Sequence, residues 1–328
     1  MPANLPPEYY ELDKKLRETT DNAEKIELLE RMHTVTPKHK GTDKIRADLR
    51  KRISKLKNAS HSKKNLGKKE SAYKIPKEGG GQVVVIGPAN SGKSALLDTL
   101  TNASPEVANF PFTTWSPMPG MMRVHDIQIQ LIDTPPLNSD HIEADYLDLL
   151  RRTELLLLMV DLQNGPLVQF EDSITLLEEH RIFSEQKKDQ IEADMRASFV
   201  PLLVLANKYD DEEAEETFEI FEELVEGDWT MMPVSVTSGR NIDEMKLKIF
   251  EILDIIRVYS KSPGKDADMK APFVLKRGST VGDFAAEVHQ DFAKQLKSAK
   301  MWGKAVFDGQ MVQRNFVLND EDVVELTI

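Results

Sequence analysis

One stretch of the chain has the residue types needed to bind phosphate groups. Residues 87–94 read Gly-Pro-Ala-Asn-Ser-Gly-Lys-Ser, a full match to G-x-x-x-x-G-K-[ST]. The stretch follows the apolar run 83–86 and precedes a helical pattern, which is the context in which this pattern forms a phosphate-binding loop. Glycines let backbone N–H groups curve around a phosphate, and a helix N-terminus adds positive charge. The stretch therefore predicts a P-loop.

Chemical roles follow for individual residues of this loop. Lys93 is expected to bridge the β- and γ-phosphates of a nucleotide, and the Ser94 hydroxyl to bind Mg²⁺. Asp133, which ends the apolar run 127–132, is placed to hold Mg²⁺ through a water molecule. Lys93 and Asp133 are thus candidate catalytic residues. The candidate nucleotide-binding positions here are Gly87, Asn90, Ser91, Gly92, Lys93, Ser94 and Ala95.

A second motif predicts which base is bound. Asn207-Lys208-Tyr209-Asp210 follows the apolar run 202–206. The carboxylate of Asp210 can accept hydrogen bonds from guanine N1–H and the 2-amino group, whereas adenine offers neither donor. An unpaired carboxylate of this kind disfavours the wrong base by a factor on the order of 10⁴. Asp210 therefore favours GTP and GDP, and an ATPase is the disfavoured alternative.

Neighbouring residues are expected to complete the base site. Asn207 should tie its loop to the P-loop, and the Lys208 stem should cover the base. Ser235 and Val236 follow the run 231–234, where a backbone N–H can meet guanine O6. All four are candidate nucleotide-binding residues.

The elements that must position these motifs alternate between strands and helices. Short apolar runs predict strands at 83–86, 127–132, 155–160, 202–206 and 231–234. Helical patterns lie at 93–100, 142–150, 170–196, 211–224 and 241–256. Runs that are apolar throughout are typical of parallel strands covered on both faces. The predicted fold class is α/β, with a mostly parallel sheet and helices on both faces.

Composition divides the chain into four parts. Residues 1–57 predict a helical basic region, 58–81 a linker, 82–259 a GTP-binding domain and 269–328 a small β-grasp domain. In the last part, an extended 272–276 precedes a helix that starts at Thr280, where Asp283 can complete a capping box. Strand-like stretches follow at 304–307, 316–317 and 323–326.

Charge is distributed unevenly along the chain. The 15 Lys and Arg residues between Lys38 and Lys77 give that stretch a net charge of +12, although the chain of 328 residues carries −12 in total. A basic arm on an acidic body favours an anionic partner such as RNA or a ribosomal surface; a merely solvated segment is the alternative. The lack of cysteine, of a leader pattern and of a membrane-length apolar run predicts a cytoplasmic protein without a membrane partner. Its oligomeric state stays open.

These motifs together resemble the Obg group of GTPases, nearest to the developmentally regulated GTP-binding (DRG) proteins. Residues 109–114 resemble that group's first switch, which implies that Thr114 closes over Mg²⁺ and the γ-phosphate as a metal ligand and catalytic residue. Residues 41–43 and the basic helix after them resemble the DRG N-terminal region. The C-terminal unit resembles a TGS domain, with the stretches 278–281, 283–285 and 318–325. The resemblance implies a GTPase with a ribosome or RNA partner.

The chain departs from this family at its second switch. The pattern D-x-x-G is replaced by Asp133-Thr134-Pro135-Pro136, and proline has no backbone N–H for the γ-phosphate. That loss costs about 1.5–3 kcal/mol, or roughly 10- to 100-fold in preference for GTP over GDP. Leu137 stands where Ras-like enzymes place a glutamine. We predict slow hydrolysis; a nucleotide-binding interaction module with little or no hydrolysis is the alternative.

Two further features bear on the family resemblance. In related GTPases that use potassium, an asparagine at the position of Asn90 binds K⁺ beside the phosphates; an ordinary loop asparagine is the alternative. Only 73 residues lie between Asp133 and Asn207, which leaves little room for the extra domain that DRG proteins insert.

Overall fold

The chain forms two compact units, Met1–Ser71 and Ala72–Ile328. The computed structural model describes residues 22–36, 71–101, 116–137, 142–191 and 197–327, with the single positions 6, 12, 15, 16, 49 and 51. In the first unit, helix α1 spans Asn22–Val35. Its apolar core contains Leu12, Leu28, Leu29, Met32 and Leu49. Most of the predicted basic arm lies outside the described residues.

A six-stranded sheet is the centre of the second unit. In chain order the elements are β1 (Gln82–Ile86), α2 (Lys93–Leu100), β2 (Met118–Val124), β3 (Ile127–Asp133), α3 (Ala144–Arg152), β4 (Leu155–Asp161), α4 (Pro166–Glu179), β5 (Ile182–Ser184), β6 (Ser198–Val200), β7 (Leu202–Asn207), α5 (Glu212–Leu224), β8 (Met231–Val234) and α6 (Ile242–Ile252). The strand order is β2-β3-β1-β4-β7-β8, and only β2 pairs antiparallel. The predicted α/β fold with a mostly parallel sheet is confirmed.

Burial on both faces explains why the central strands are apolar throughout. Every residue of β1 and β4 is buried. Alternate residues of β1 enter different apolar clusters, Val84 and Ile86 in one and Val83 and Val85 in the other. Because successive side chains of a strand point to opposite faces, the sheet has a core on each side.

One predicted helix is wrong in length. The pattern at 170–196 predicts a single helix, but α4 ends at Glu179 and Arg181 adopts a left-handed φ of 59°. The chain then forms β5 and β6, which pair parallel as a separate two-stranded sheet. The apolar residues of these short strands fit a helical spacing, so the pattern alone does not reveal the break.

The C-terminal part forms a second sheet with its own core. Its elements are β9 (Ile255–Ser260), β10 (Phe273–Lys276), α7 (Val281–Val288), α8 (Gln290–Gln295), β11 (Ser298–Trp302), β12 (Gln310–Val312) and β13 (Asp322–Thr327). The strand order is β10-β9-β13-β11-β12. The predicted capping box between Thr280 and Asp283 is present at the start of α7. Residues 304–307, predicted as a strand, instead form the turn region between β11 and β12.

Two predicted boundaries need correction. The helix expected to reach Ile256 ends at Ile252, and β9 pairs with β10 and β13 of the C-terminal sheet rather than closing the GTP-binding domain at 259. A buried strand and a buried helix end give similar apolar patterns. Residues 72–81, assigned to a linker, pack on the domain instead: Tyr73 is buried, and the carbonyl of Pro76 accepts from Gln130 at 3.1 Å.

A buried arginine joins the two sheets of this unit. Arg257 of β9 forms ion pairs with Asp126, in the turn between β2 and β3, at 2.9 Å and with Asp320 at 2.7 Å. Tyr259 donates to the other oxygen of Asp126 at 2.6 Å. The β2–β3 hairpin is therefore fixed to the C-terminal sheet. Among the helices that the structure describes, none combines the length and apolarity needed to span a membrane.

Candidate functional site at the strand ends

Five parallel strands of the main sheet end at one edge, and the predicted site residues collect there. β1, β3, β4, β7 and β8 run in the same direction. Carboxyl ends of parallel strands share an edge, where α/β proteins bind ligands. The residues at or just after these ends are Gly87, Asp133, Asp161, Asn207 and Ser235.

The P-loop has a backbone conformation that depends on glycine at two positions. Gly87 and Gly92 have φ values of 141° and 103°. A side chain at Gly87 would collide with the carbonyl of Met159, and one at Gly92 with the side chain of Asn207. α2 begins directly after Gly92, and no side chain among the described residues caps it. Its first N–H groups are therefore the donors that can bind a phosphate.

Lys93 is buried and folds back over this loop. Its Nζ donates to the carbonyl of Gly87 at 3.0 Å and to that of Pro88 at 2.7 Å. Burial lowers the pKa of Lys93, although the nearby Asp133 carboxylate opposes this effect. The amine thus lies at the loop, where phosphate oxygens can replace carbonyl oxygens as its partners.

Ser94 and Asp133 form a pair that can hold a divalent cation. Ser94 Oγ donates to Asp133 Oδ2 at 2.6 Å. The other carboxylate oxygen, Oδ1, is buried and has no hydrogen-bond partner among the residues that the structure describes. Burial raises the pKa of Asp133, more than the Ser94 hydrogen bond and the Lys93 charge lower it. An unpaired buried oxygen beside a hydroxyl fits Mg²⁺, which takes oxygen ligands and relies on phosphates and water for the rest.

Asn207 joins three loops of the site. Its Nδ2 donates to the carbonyl of Ser91 in the P-loop at 2.8 Å, and its Oδ1 accepts from the N–H of Val236 at 3.2 Å. This is the tie to the P-loop that the sequence assigned to Asn207. The same side chain also orients the backbone at Val236, one of the two positions expected near guanine O6.

Asp210 is exposed at the end of the same loop and is held by a serine. Ser235 Oγ donates to Asp210 Oδ1, and the N–H of Ser238 donates to Ser235 Oγ at 3.0 Å. The structure thus brings Asp210 and Ser235 into contact, with Val236 next to Ser235 in the chain.

One functional contact was missed in the sequence. Lys208 Nζ donates to Asp161 Oδ2 at 2.5 Å, and the Asp161 side chain is only 7% exposed. The N–H of Gln163 donates to the other oxygen of Asp161 at 3.0 Å. A buried ion pair therefore orients Lys208. The signal was available, because Asp161 ends a predicted buried strand at the ligand-binding edge.

The second switch is packed against the P-loop. The N–H of Leu137 donates to the carbonyl of Gly87 at 3.0 Å, and Thr134 Oγ1 donates to the carbonyl of Val85 at 2.7 Å. The Leu137 side chain is buried in the apolar cluster that also contains residues of α3. Because Pro135 and Pro136 have no N–H, the next backbone donor after Thr134 is that of Leu137, and it is already bonded to Gly87. Thr114, predicted to complete the metal site, lies outside the described residues.

Comparisons with known proteins agree with this geometry. A family model described as a 50S ribosome-binding GTPase matches residues 82–217, and a TGS domain model matches residues 256–328. Residues 82–217 therefore form a domain similar to these GTPases, and residues 256–328 one similar to TGS domains. The described site lies mainly within the first match, with Ser235 and Val236 beyond it.

Relatives named as GTP-binding proteins match nearly the whole chain. A GTP-binding protein of Methanocaldococcus jannaschii is 29% identical, with 93% of this chain and 92% of the relative covered. The developmentally-regulated GTP-binding protein 2 homolog of Dictyostelium discoideum is 25% identical over 92% of this chain and 98% of its own length. The YchF GTPase structure of Schizosaccharomyces pombe shares the fold, with a TM-score of 0.52 and 12% identity over 77% of this chain and 99% of that one. The predicted resemblance to DRG proteins is confirmed.

The chain is shorter in places than the Methanocaldococcus relative. The alignment of the two covers 364 positions, more than the 328 residues of this chain. The relative therefore contains segments that this chain lacks.

Proposed function

We propose that this protein binds GTP and GDP with Mg²⁺ and hydrolyses GTP slowly. The observation that carries the proposal is the pair of Ser94 and Asp133, joined at 2.6 Å beside the P-loop and with one carboxylate oxygen unpaired. Mg²⁺ bound there, with Thr114 as a further predicted ligand, would neutralise charge on the β- and γ-phosphates. Lys93 adds a second positive charge on the same side.

Slow hydrolysis follows from the second switch. Pro136 offers no N–H to the γ-phosphate, and the Leu137 N–H is bonded to Gly87. The Leu137 side chain is apolar and buried, so it orients no water for attack on the γ-phosphate. These features leave charge stabilisation by Lys93 and by Mg²⁺ at Ser94 and Asp133 as the main contribution to catalysis.

The proposed partner is a ribosome or RNA in the cytoplasm, engaged through the basic arm and the TGS domain. Support comes from the net charge of +12 between Lys38 and Lys77 and from the description of the matching family model as ribosome-binding. Phosphate contacts made by lysines release counterions, so binding of this kind weakens steeply as salt rises.

Co-sedimentation with ribosomes tests this partner. The full chain, loaded with GDP or a non-hydrolysable GTP analogue, is pelleted with ribosomes at 50 and 200 mM salt (roughly the range over which phosphate contacts weaken). One variant replaces arm lysines with glutamine, at Lys63, Lys64, Lys68 and Lys69. Its matched control replaces four lysines of the second unit, at Lys246, Lys248, Lys265 and Lys270. We expect the arm variant alone to lose binding; equal binding by both variants would contradict the proposed role of the arm.

A second candidate function is a nucleotide-binding module with little or no hydrolysis, favoured by the buried apolar Leu137. Single-turnover hydrolysis of GTP, with and without ribosomes, separates the two. Turnover stimulated by ribosomes supports the GTPase cycle. Persistent inactivity with intact GTP binding supports the module.

Asn90 supports a further proposal, that K⁺ assists hydrolysis. The residue is exposed in the P-loop and adopts a left-handed φ of 64°. Turnover in KCl is expected to exceed turnover in NaCl, and the Asn90→Ala variant should remove the difference. Equal rates in the two salts would discard the proposal.

A further inference from the structure

A buried tyrosine contacts the second switch. Tyr146 lies on α3 and is 3% exposed. Its hydroxyl is 2.9 Å from Thr134 Oγ1 and 3.3 Å from the carbonyl oxygen of Pro135. Both contacts fall within the four residues that follow Asp133.

The direction of these hydrogen bonds follows from counting protons. Thr134 has a single hydroxyl proton, and it is donated to the carbonyl of Val85 at 2.7 Å. The Tyr146 hydroxyl must therefore be the donor to Thr134 Oγ1. Burial raises the pKa of Tyr146.

A second tyrosine covers the first. The ring of Tyr73 stacks on the ring of Tyr146, with centroids 5.4 Å apart and planes inclined by 23°. Tyr73 is 6% exposed and belongs to the entry segment, residues 72–77, whose carbonyls accept from Arg152 at Tyr73 and from Gln82 at Ile75. The entry segment therefore fixes the position of the Tyr146 ring.

These contacts hold the second switch at both of its ends. Thr134 is bonded at its hydroxyl to Val85 and Tyr146, and Leu137 is bonded at its N–H to Gly87. Pro135 and Pro136 between them have fixed φ angles. Movement of this segment toward a γ-phosphate requires the hydrogen bond from Tyr146 to Thr134 to break.

We propose that Tyr146, supported by Tyr73, is a positioning residue that holds residues 134–137 in one conformation whether GDP or GTP is bound. The role rests on the proposed nucleotide-binding function and concerns its regulation. It gives the entry segment control over the second switch through the stacked Tyr73 and Tyr146 rings. Loosening the tyrosine pair allows the switch to respond to the γ-phosphate.

Amide exchange at Leu137 measures this restraint directly, because Pro135 and Pro136 have no N–H of their own. In the full chain the Leu137 amide should exchange at the same rate with GDP and with a non-hydrolysable GTP analogue. Tyr146→Phe keeps the ring and removes the hydroxyl, and it should speed exchange roughly 3- to 10-fold. Tyr73→Ala removes the stacked ring and should act in the same direction.

Tyr259→Phe is the matched control, since it removes another buried tyrosine hydroxyl bond, to Asp126, away from the second switch. It should leave the Leu137 exchange rate unchanged. The ratio of GTP to GDP affinity is the second readout, because a merely structural loss lowers both affinities alike. Tyr146→Phe should change this ratio by at least about threefold, and Tyr259→Phe should not.

The outcomes decide the proposal in either direction. Faster Leu137 exchange together with a changed affinity ratio in Tyr146→Phe supports it. An unchanged exchange rate, or an unchanged ratio, overturns it. Leu137 amide exchange is also measured in the nucleotide-free chain, where the tyrosine restraint can be tested without any bound nucleotide. A failure to bind GTP or ribosomes would then refute the proposed function and leave the test of the tyrosine restraint intact.

Discussion

The P-loop and the second switch lie side by side but are held by different kinds of contact. The P-loop depends on backbone conformation, with left-handed or related φ values at Gly87 and Gly92 and a helix start that leaves N–H groups for phosphate. The second switch depends on side chains from elsewhere in the fold, chiefly the bond from Tyr146 to Thr134. One region is built locally, and the other is built by packing.

From this difference we expect that phosphate binding and γ-phosphate sensing can be changed independently. The P-loop retains every residue type that its chemistry requires. The second switch has proline where the family pattern has glycine, and its shape is maintained by hydrogen bonds with Val85, Tyr146 and Gly87. Substitutions in the first region should therefore affect all guanine nucleotides, whereas substitutions in the second should affect GTP and GDP unequally.

The largest effect is expected from Lys93→Ala. Loss of two charge-assisted phosphate contacts should lower the affinity for both GDP and GTP by roughly 10²- to 10⁴-fold. Titration with labelled nucleotide measures both constants. Lys248→Ala, on the exposed side of α6, is the control and should bind normally. A Lys93→Ala variant that lost affinity for GTP alone would contradict the expectation that P-loop substitutions affect all guanine nucleotides.

Asp210→Asn should change the base preference. The amide loses the paired acceptor oxygens for guanine, and GDP affinity should fall about 10²-fold. Xanthosine diphosphate should bind better than to wild type, because its 2-oxo group can accept from the amide. Asp211→Asn, which keeps a side chain able to cap α5, is the neighbouring control. Competition binding with the two diphosphates measures the change; an unaltered preference would remove Asp210 from the base site.

Pro136→Gly tests the second switch itself. Restoring an N–H at this position should raise the preference for GTP over GDP by about 10- to 100-fold. Pro135→Gly adds similar flexibility one residue earlier and is the control. Separate titrations with GDP and a GTP analogue give the ratio. Equal shifts in the two variants would mean that flexibility, rather than the N–H at 136, limits sensing.

The smallest effect is expected on the thermal stability of the nucleotide-free protein, which Asp133→Asn should increase at pH 7. Burial raises the pKa of Asp133 above the ordinary value of 3.8. Its protonated form therefore favours the nucleotide-free fold, a contribution present below pH 3.8 and lost as pH rises through the folded value. Asp133→Asn should raise the Tm of the nucleotide-free protein at pH 7 and remove Mg²⁺-dependent nucleotide binding. The stabilisation should disappear near pH 3.

Asp126→Asn should change the Tm at pH 7 in the opposite direction. Burial opposes ionisation of Asp126, but hydrogen bonds from Tyr259 and Arg257 outweigh it and lower its pKa. Its contribution to stability is present above pH 3.8 and is lost as pH falls through the lower folded value. The same unfolding series should therefore show a lower Tm at pH 7. A Tm change of the same sign in both variants would contradict the assignment of either carboxylate.

The sequence by itself determined the P-loop, the guanine motif and the central strands. Each of these depends on residues that are close together in the chain, such as glycines at fixed spacing or a continuous apolar run between turns. The capping box of Thr280 and Asp283 is predictable for the same reason. The role of Thr114 stays a prediction.

Only the tertiary structure decided the contacts between distant residues. Three examples are the ion pair of Lys208 with Asp161, the bond of Tyr146 to Thr134 and the pairing of β9 with the C-terminal sheet. Each joins two segments, and the local sequence of one segment does not predict the other. An apolar run shows that a segment is buried, but the partner that buries it is chosen by the packing of the whole unit. For this reason the sequence predicted where phosphate and guanine bind, and the structure showed what holds the second switch in place.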